Sequence, residues 1–323
     1  YEVKEEQAPE GYLRNTTDVY SFQFDYTNDK EPVVAFSHTF TNKHVNAKIS
    51  LQKKDKETNT NTPQGDATLE KAVYGLYARN DIVHPDGATG VVYKAGEKVE
   101  TLTTDETGTA FMENLYLGNY YVKEITPPVG YLADEAEYDL ACSYEGDLVA
   151  TVERSCTSPE QVKKQPFQLI KAANNGKTDA DLLEGAGFTA YLVSSLDTKE
   201  DGSYDFASAV PVVIGENGAT EIFTDEKGYA CSIPLPYGTY LVRETTTPHN
   251  YTPVDDFIVR ITEHKPNTPQ VWRVLLDDEF EAKLKIVKQD DETKKPVLAK
   301  NTEFKVYDLD NAKYVEQVTT YPT

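Results

Sequence analysis

Two stretches of the chain follow one pattern: TDETGTAFMENLYLGNYYVKEITPPVGY at Thr104–Tyr131 and TDEKGYACSIPLPYGTYLVRETTTPHNY at Thr224–Tyr251. In both, a Gly follows the Thr by four residues, a second Gly comes ten later, and a Glu six beyond that. The opening residues YEVKEEQAPEGY match the end of the pattern, and its glutamate therefore occurs three times, as Glu5, Glu124 and Glu244. Spacings of 119 and 120 residues between them predict an array of similar units.

A second marker is a short apolar stretch with a lysine at the start of each unit. The stretches are ISLQKKD, QLIKAAN and KIVKQDD, and their lysines are Lys53, Lys171 and Lys288, 118 and 117 residues apart. Two markers with nearly the same period predict a partial unit at 1–46, complete units at 47–165 and 166–282, and a partial unit at 283–323.

Within the units, apolar and polar residues alternate with a period of two, as in TYLVRET, FIVRIT and VWRVLLD. Turn clusters such as TDETG, TDEKG and YEGD separate these runs at short intervals. Alternation between frequent turns is typical of strands, and a unit of this length favours an antiparallel β-sandwich. The sequence therefore predicts an all-β chain of tandem sandwiches.

Composition excludes several classes of function. The net charge of −22 over 323 residues argues against partners that attract clustered positive charge, namely nucleic acid and anionic membranes. An apolar content of 39% is too high for a disordered acidic tail, and no run of 18 apolar residues occurs. Three Cys and five His, without metal-ligand spacing, predict no metal, no cofactor and no enzyme with turnover.

The glutamate segments resemble a known family. YEVKEEQAPEGY, YYVKEITPPVGY and YLVRETTTPHNY are similar to the E-box of the collagen-adhesin B-type (Cna B-type, SpaA-like pilin) domains of Gram-positive surface proteins. The chain departs from the family at Asn250, where Gly is usual, and after Lys171, where an acidic residue is usual. The resemblance implies Ig-like or prealbumin-like sandwiches in an extracellular, wall-attached stalk, with neighbouring domains of the same protein as partners.

The resemblance also implies a self-made isopeptide bond, in which a first-strand Lys joins an Asn or Asp on the last strand with help from the E-box Glu. Burial would lower the pKa of the amine and raise that of a carboxyl group, so that a neutral amine can attack. The Glu would polarise the carbonyl and relay protons. Fixing both reactants on adjacent strands supplies the proximity. The reaction occurs once per domain.

By this correspondence, the unit 166–282 has a complete trio of Lys171, Glu244 and Asp277, with Asp278 as the acceptor if the register shifts by one. The offset that locates Asp277 is eleven residues before the next unit's lysine, the same as from Asn42 to Lys53. Further equivalent positions are Asn42 with Glu5 in the first unit and Lys288 in the last.

The unit 47–165 lacks an ordinary acceptor. Lys53 and Glu124 are present, but the same offset leads to Glu160, and residues 148–165 contain no Asn or Asp. We therefore expect no ordinary Lys–Asn/Asp bond there. Cys142 and Cys156 either form a disulfide that replaces it or are buried thiols; both alternatives stay open at this stage.

A second function is compatible with the sequence, namely binding of a host extracellular protein or glycan by loops of one sandwich. The long inserts at Val193–Gly218 and Arg79–Gly90 could form such a surface. Solvated hairpins are the simpler interpretation of both, and the stalk is the leading hypothesis.

Overall fold

The computed structural model describes residues 1–25, 33–177, 179–281, 283–297, 304–309 and 313–314. It divides into two compact units, Tyr1–Glu279 and Phe280–Thr323. The strands of the first half are β1 (Glu2–Lys4), β2 (Val19–Ser21), β3 (Asn46–Asp55), β4 (Val73–Ala78), β5 (Ile82–Val83), β6 (Val91–Tyr93), β7 (Lys98–Thr103), β8 (Thr109–Leu115), β9 (Gly118–Thr126), β10 (Glu137–Cys142), β11 (Thr151–Glu160) and β12 (Lys164–Gln165).

The strands of the second half are β13 (Gln168–Ala173), β14 (Gly187–Leu192), β15 (Asp197–Thr198), β16 (Tyr204–Asp205), β17 (Glu221–Phe223), β18 (Tyr229–Cys231), β19 (Leu235–Pro236), β20 (Gly238–Thr246), β21 (Phe257–Ile261), β22 (Arg273–Asp277), β23 (Tyr307–Asp308) and β24 (Lys313–Tyr314). The helical segments within the described residues are single 3-10 turns at Val193–Ser195 and Glu216–Gly218.

The first sandwich consists of a four-stranded sheet, β10-β9-β4-β7, and a three-stranded sheet, β11-β3-β8. Strand β3 buries every second residue, as its alternating sequence predicts. Its apolar side chains share one core with residues of the other sheet, among them Tyr74, Leu76, Tyr120 and Val122. The second sandwich repeats this arrangement with β17-β14-β20-β21 and β18-β13-β22. Tandem β-sandwiches are therefore confirmed.

One pairing in each sandwich departs from the predicted antiparallel pattern. The first and last strands are parallel neighbours, β3 with β11 and β13 with β22. Lys53 lies opposite Ser158, and Lys171 opposite Leu275. Strand alternation alone does not reveal this pairing, because the two strands come from opposite ends of the unit. It places each lysine beside the last strand of its own sandwich.

The sandwiches meet at a small apolar cluster of Ala67, Leu69, Tyr131 and Val162, against which Tyr237 packs. Strand β12 pairs with β19 of the second sandwich. The backbone N–H of Thr239 donates to Asp66 Oδ2 at 2.8 Å. Neighbouring sandwiches are thus joined by apolar packing and by backbone hydrogen bonds.

The two partial units come before and after this pair in the sequence. In the N-terminal one, β1 pairs with β2, and the N–H of Ala8 donates to Asp147 Oδ2 of the first sandwich at 3.1 Å. In the unit Phe280–Thr323, β23 pairs with β24. Lys288 is exposed there.

Candidate functional site

The predicted trio of the second sandwich is assembled in its interior. Strand β13 directs Lys171 inward, β20 contributes Glu244 and β22 contributes Asp277. Lys171 Nζ donates to Glu244 Oε2 at 2.7 Å and also contacts Asp277 Oδ1, and all three side chains are fully buried. Asp278 is exposed and accepts a hydrogen bond from Asn174 Nδ2 at 2.6 Å. The structure therefore brings Asp277, and not Asp278, to the lysine.

Burial controls the charge state of this centre. It raises the pKa of the Asp277 carboxyl to about 6, although Lys171 opposes the shift. Asp277 Oδ2 and Glu244 Oε1 are buried and have no hydrogen-bond partner among the described residues. The surrounding wall is apolar, with the Phe188 ring centroid 5.7 Å from Lys171 Nζ. Such surroundings favour the protonated, uncharged form of the Asp277 carboxyl group.

The E-box glutamates are held by one recurring hydrogen bond. In each, Oε2 accepts from the backbone N–H ten residues later: Glu5 from Asn15 at 2.6 Å, Glu124 from Asp134 at 2.8 Å and Glu244 from Val254 at 3.1 Å. The chain turns after the glutamate strand and returns past it, so the N–H reaches the carboxylate. The repeated sequence thus fixes the orientation of the glutamate in all three units.

In the N-terminal partial unit, the predicted pair is also together. Asn42 Nδ2 lies 2.8 and 2.7 Å from the two carboxylate oxygens of Glu5, and 2.8 Å from the carbonyl oxygen of Leu13. Both side chains are only partly buried. Asn42 therefore lies beside its glutamate, as predicted for the residue that would react with a lysine.

The first sandwich contains a second buried lysine centre. Lys53 Nζ donates to Glu124 Oε1 at 3.0 Å and to the Tyr74 hydroxyl at 3.0 Å, and it contacts Glu160 Oε1. The side chains of Lys53 and Glu160 are fully buried. Burial lowers the pKa of the Lys53 amine to about 8. The offset of eleven residues leads to Glu160, which is neither of the two residue types, Asn and Asp, that the resemblance implies as partners of the lysine.

The disulfide alternative is wrong in this structure, which has Cys142 and Cys156 as free thiols. Cys142 ends β10 in one sheet and Cys156 lies on β11 in the other. Burial raises the pKa of each thiol to about 11, which keeps both protonated. Cys142 is buried in the core of the first sandwich, and Cys156 is a partly buried thiol that packs against this core.

The insert at Val193–Gly218 contains the β15–β16 hairpin, which folds back over the second sandwich. The Arg243 guanidinium lies 3.5 Å from the Phe206 ring centroid and 2.7 Å from Asp256 Oδ2. A groove of about 760 Å³ lies between the hairpin and the sheet. The insert at Arg79–Gly90 carries β5. Both inserts thus contain strands that belong to hairpins.

Over the residues that the structure describes, no three His, Cys, Asp or Glu side chains converge as a metal site. In the same part of the chain, no helix has the length and apolar character needed to cross a bilayer.

A family model described as the SpaA prealbumin-like fold domain matches residues 47–155 and 167–272. The chain belongs to this family. The resemblance to SpaA-like, Cna B-type domains is thereby confirmed, and both matches fall on the two sandwiches. No curated protein matches the chain.

The chain is similar to several solved structures. The Bacillus anthracis TIE protein is similar over 86% of this chain and 41% of its own, with 21% identity and a TM-score of 0.53. The chain therefore spans less than half of that protein. A streptococcal ancillary pilin matches with 20% identity over 84% of this chain and 76% of its own, at a TM-score of 0.29. GBS52, the minor pilin of Streptococcus agalactiae, matches with 15% identity over 75% of this chain and 100% of its own, at a TM-score of 0.33.

Proposed function

We propose that this chain is a stalk segment of a Gram-positive cell-wall adhesin or pilin-like surface protein, exposed outside the cell and attached to its wall. Its second sandwich is stiffened by an amide bond between Lys171 and Asp277. The observation that supports this is the fully buried contact of Lys171 with both carboxyl groups. An unreacted buried trio is costly, because two acids and one amine lose their hydration together.

The proposed reaction uses the contacts of this trio. The neutral Nζ of Lys171 attacks Cγ of the protonated Asp277 carboxyl, and Glu244 moves a proton from the nitrogen to the departing hydroxyl. The C–O bond breaks, the C–N bond forms, and one water leaves. Oδ2 of Asp277 has no partner among the described residues and is the oxygen free to leave. Because each trio reacts once, this is self-modification without turnover.

The bond suits a load-bearing segment. It joins residues 106 positions apart on the parallel first and last strands. By analogy with a disulfide, closing a loop of that size stabilises the fold by about 4–5 kcal/mol through the unfolded state. Unlike a disulfide, an amide is not broken by reductants. Neighbouring domains of the same protein, packed as the two sandwiches are, are the partners that this function needs.

The test is the mass of the denatured full chain, followed by tryptic mapping. We expect QPFQLIKAANNGK (165–177) linked to VLLDDEFEAK (274–283), with the loss of one water and no cleavage after Lys171. Glu244→Gln should leave these peptides separate and lower the melting temperature. Glu216→Gln changes an exposed glutamate of the same sandwich and should leave them linked. Separate peptides in the wild-type chain would refute the crosslink.

A further inference from the structure

In the strand register, Glu160 of the first sandwich occupies the position that Asp277 has in the second. In the second sandwich, Asp277 pairs with Ala173, two residues after Lys171. In the first, Glu160 pairs with Asp55, also two residues after the lysine, in the same parallel arrangement. Glu160 is therefore the structural counterpart of Asp277, with one more methylene in its side chain.

Around Glu160, two apolar positions of the second sandwich have become polar. Phe188 is replaced by Tyr74, since these residues pair with Glu244 and Glu124 at the same register. Leu275 is replaced by Ser158, which also lies two residues before the acceptor. Both changes occur in the sandwich that has the longer acceptor, which indicates a site adapted to glutamate.

The Tyr74 hydroxyl holds the Glu160 carboxyl group, and Ser158 lies beside that hydroxyl. The Tyr74 hydroxyl lies 2.9 Å from Glu160 Oε1 and 2.9 Å from Ser158 Oγ. Ser158 Oγ in turn donates to Asp134 Oδ2 at 3.2 Å. Burial raises the pKa of the Tyr74 phenol, so it remains a hydrogen-bond donor. A donor at this place stabilises the negative charge that develops on Oε1 when Cδ is attacked.

The other oxygen of the carboxyl group is unsupported. Oε2 of Glu160 is buried without a hydrogen-bond partner in the described part of the chain, as is Oδ2 of Asp277. Both acceptors therefore have one oxygen held near the lysine and one that can leave. Glu124 contacts Lys53 Nζ through Oε1, while Oε2 is fixed by the Asp134 N–H. It is placed to move protons as Glu244 is.

We propose that Lys53 and Glu160 form an amide bond between Nζ and Cδ, making a Lys–Glu crosslink in the first sandwich. The neutral amine attacks Cδ of the protonated carboxyl group, and Glu124 transfers a proton from nitrogen to the departing Oε2. The C–N bond forms, the C–O bond breaks, and water leaves, so no oxidant or other reactant is required. The proposal rests on the crosslinking chemistry proposed for the second sandwich, but it has its own acceptor and its own peptides.

Tryptic mapping of the full chain tests it. We expect ISLQKK (49–54) linked to SCTSPEQVK (155–163), and an intact mass lower than that of the sequence by two waters, one for each sandwich. Glu160→Ala should lose the first link only, and its linked 165–177 and 274–283 peptides show that the chain has folded. Glu153→Ala, at an exposed glutamate of the same strand, is the matched control and should keep both links.

Two further variants separate chemistry from folding. Glu124→Gln keeps the shape of the relay residue and should leave ISLQKK unlinked. Tyr74→Phe restores the aromatic residue of the second sandwich and should slow the link about a hundredfold, as loss of one oxyanion donor does. Suppose that the wild-type digest contains unlinked ISLQK (49–53) while peptide 165–177 is linked to 274–283. This result would refute the Lys–Glu bond and leave the proposed function intact. Both peptide pairs unlinked overturn both proposals.

Discussion

At the scale of the residue, the chain contains two versions of one arrangement. A lysine without solvent contact lies between the glutamate proposed as the proton relay and the acid proposed as the acceptor, which is Asp277 in one sandwich and Glu160 in the other. Ion pairs of this kind are seldom retained for stability, because desolvation offsets most of the Coulomb attraction. A covalent bond that removes both charges gives a physical reason for the burial.

The pH dependence of Lys171–Asp277 formation follows from counting protons. With the pKa of Asp277 raised to about 6, the pair holds two protons below that pH, and the amine is then charged and cannot attack. Above it the pair holds one proton, and the reactive neutral form is accessible. We expect the rate to rise about tenfold per pH unit up to about pH 6 and then to level off.

The measurement starts from chain synthesised and kept in denaturant, then refolded at pH values on either side of 6 and sampled for linked peptide. Circular dichroism at each pH separates folding from bond formation. A rate that falls as the pH rises through this range would show that the proton count is wrong.

At the scale of the element, the Thr that begins each repeated stretch closes a buried turn. Thr224 Oγ1 donates to the carbonyl of Leu183 at 2.7 Å and accepts from the N–H of Ala186 at 2.9 Å. Thr104 makes the same pair of bonds with Leu69 and Ala72. The hydroxyl thus satisfies two backbone groups where the chain enters the central strand of a sheet.

Thr224→Val tests this element. The substitution keeps the shape but leaves a buried N–H and a buried carbonyl unpaired, and we expect a loss of about 1–3 kcal/mol in the free energy of unfolding. Urea unfolding followed by fluorescence measures it. Thr198→Val, at an exposed position of the β15–β16 hairpin, is the control. Equal stability of the two variants would contradict the role of the Thr224 hydroxyl.

Most of the strands and turns could be predicted from the sequence, because period-two alternation and turn clusters are local signals. The glutamate spacing located Glu5, Glu124 and Glu244, and the interval from Asn42 to Lys53, applied before Lys288, located Asp277. Glu160 was located by the same rule, yet its role could not be read, because it depends on Tyr74 and Ser158. Those residues are distant in sequence and meet Glu160 only in the folded core.

At the scale of the whole molecule, each of the two proposed crosslinks joins the first and last strands of a sandwich. Tension applied at the ends of the chain should pass through the amides and leave the intervening loops folded. We expect force spectroscopy of the wild-type chain to show no extension from residues 171–277. Lys171→Arg should release this loop of 106 residues, a gain of roughly 350 Å.

The control for this experiment is Glu160→Ala, which should release the other sandwich and leave residues 171–277 locked. Full extension of both sandwiches in the wild-type chain would show that neither amide bears the load.

The sequence by itself determined the period of the array, the sandwich class and the lysine–glutamate pairs, because each is encoded in residues close together or in exact repetition. The tertiary structure decided which acid meets each lysine and that the two cysteines remain thiols. These outcomes depend on the parallel pairing of strands more than 100 residues apart. No local pattern specifies that pairing, because it arises when two sheets close around one apolar core.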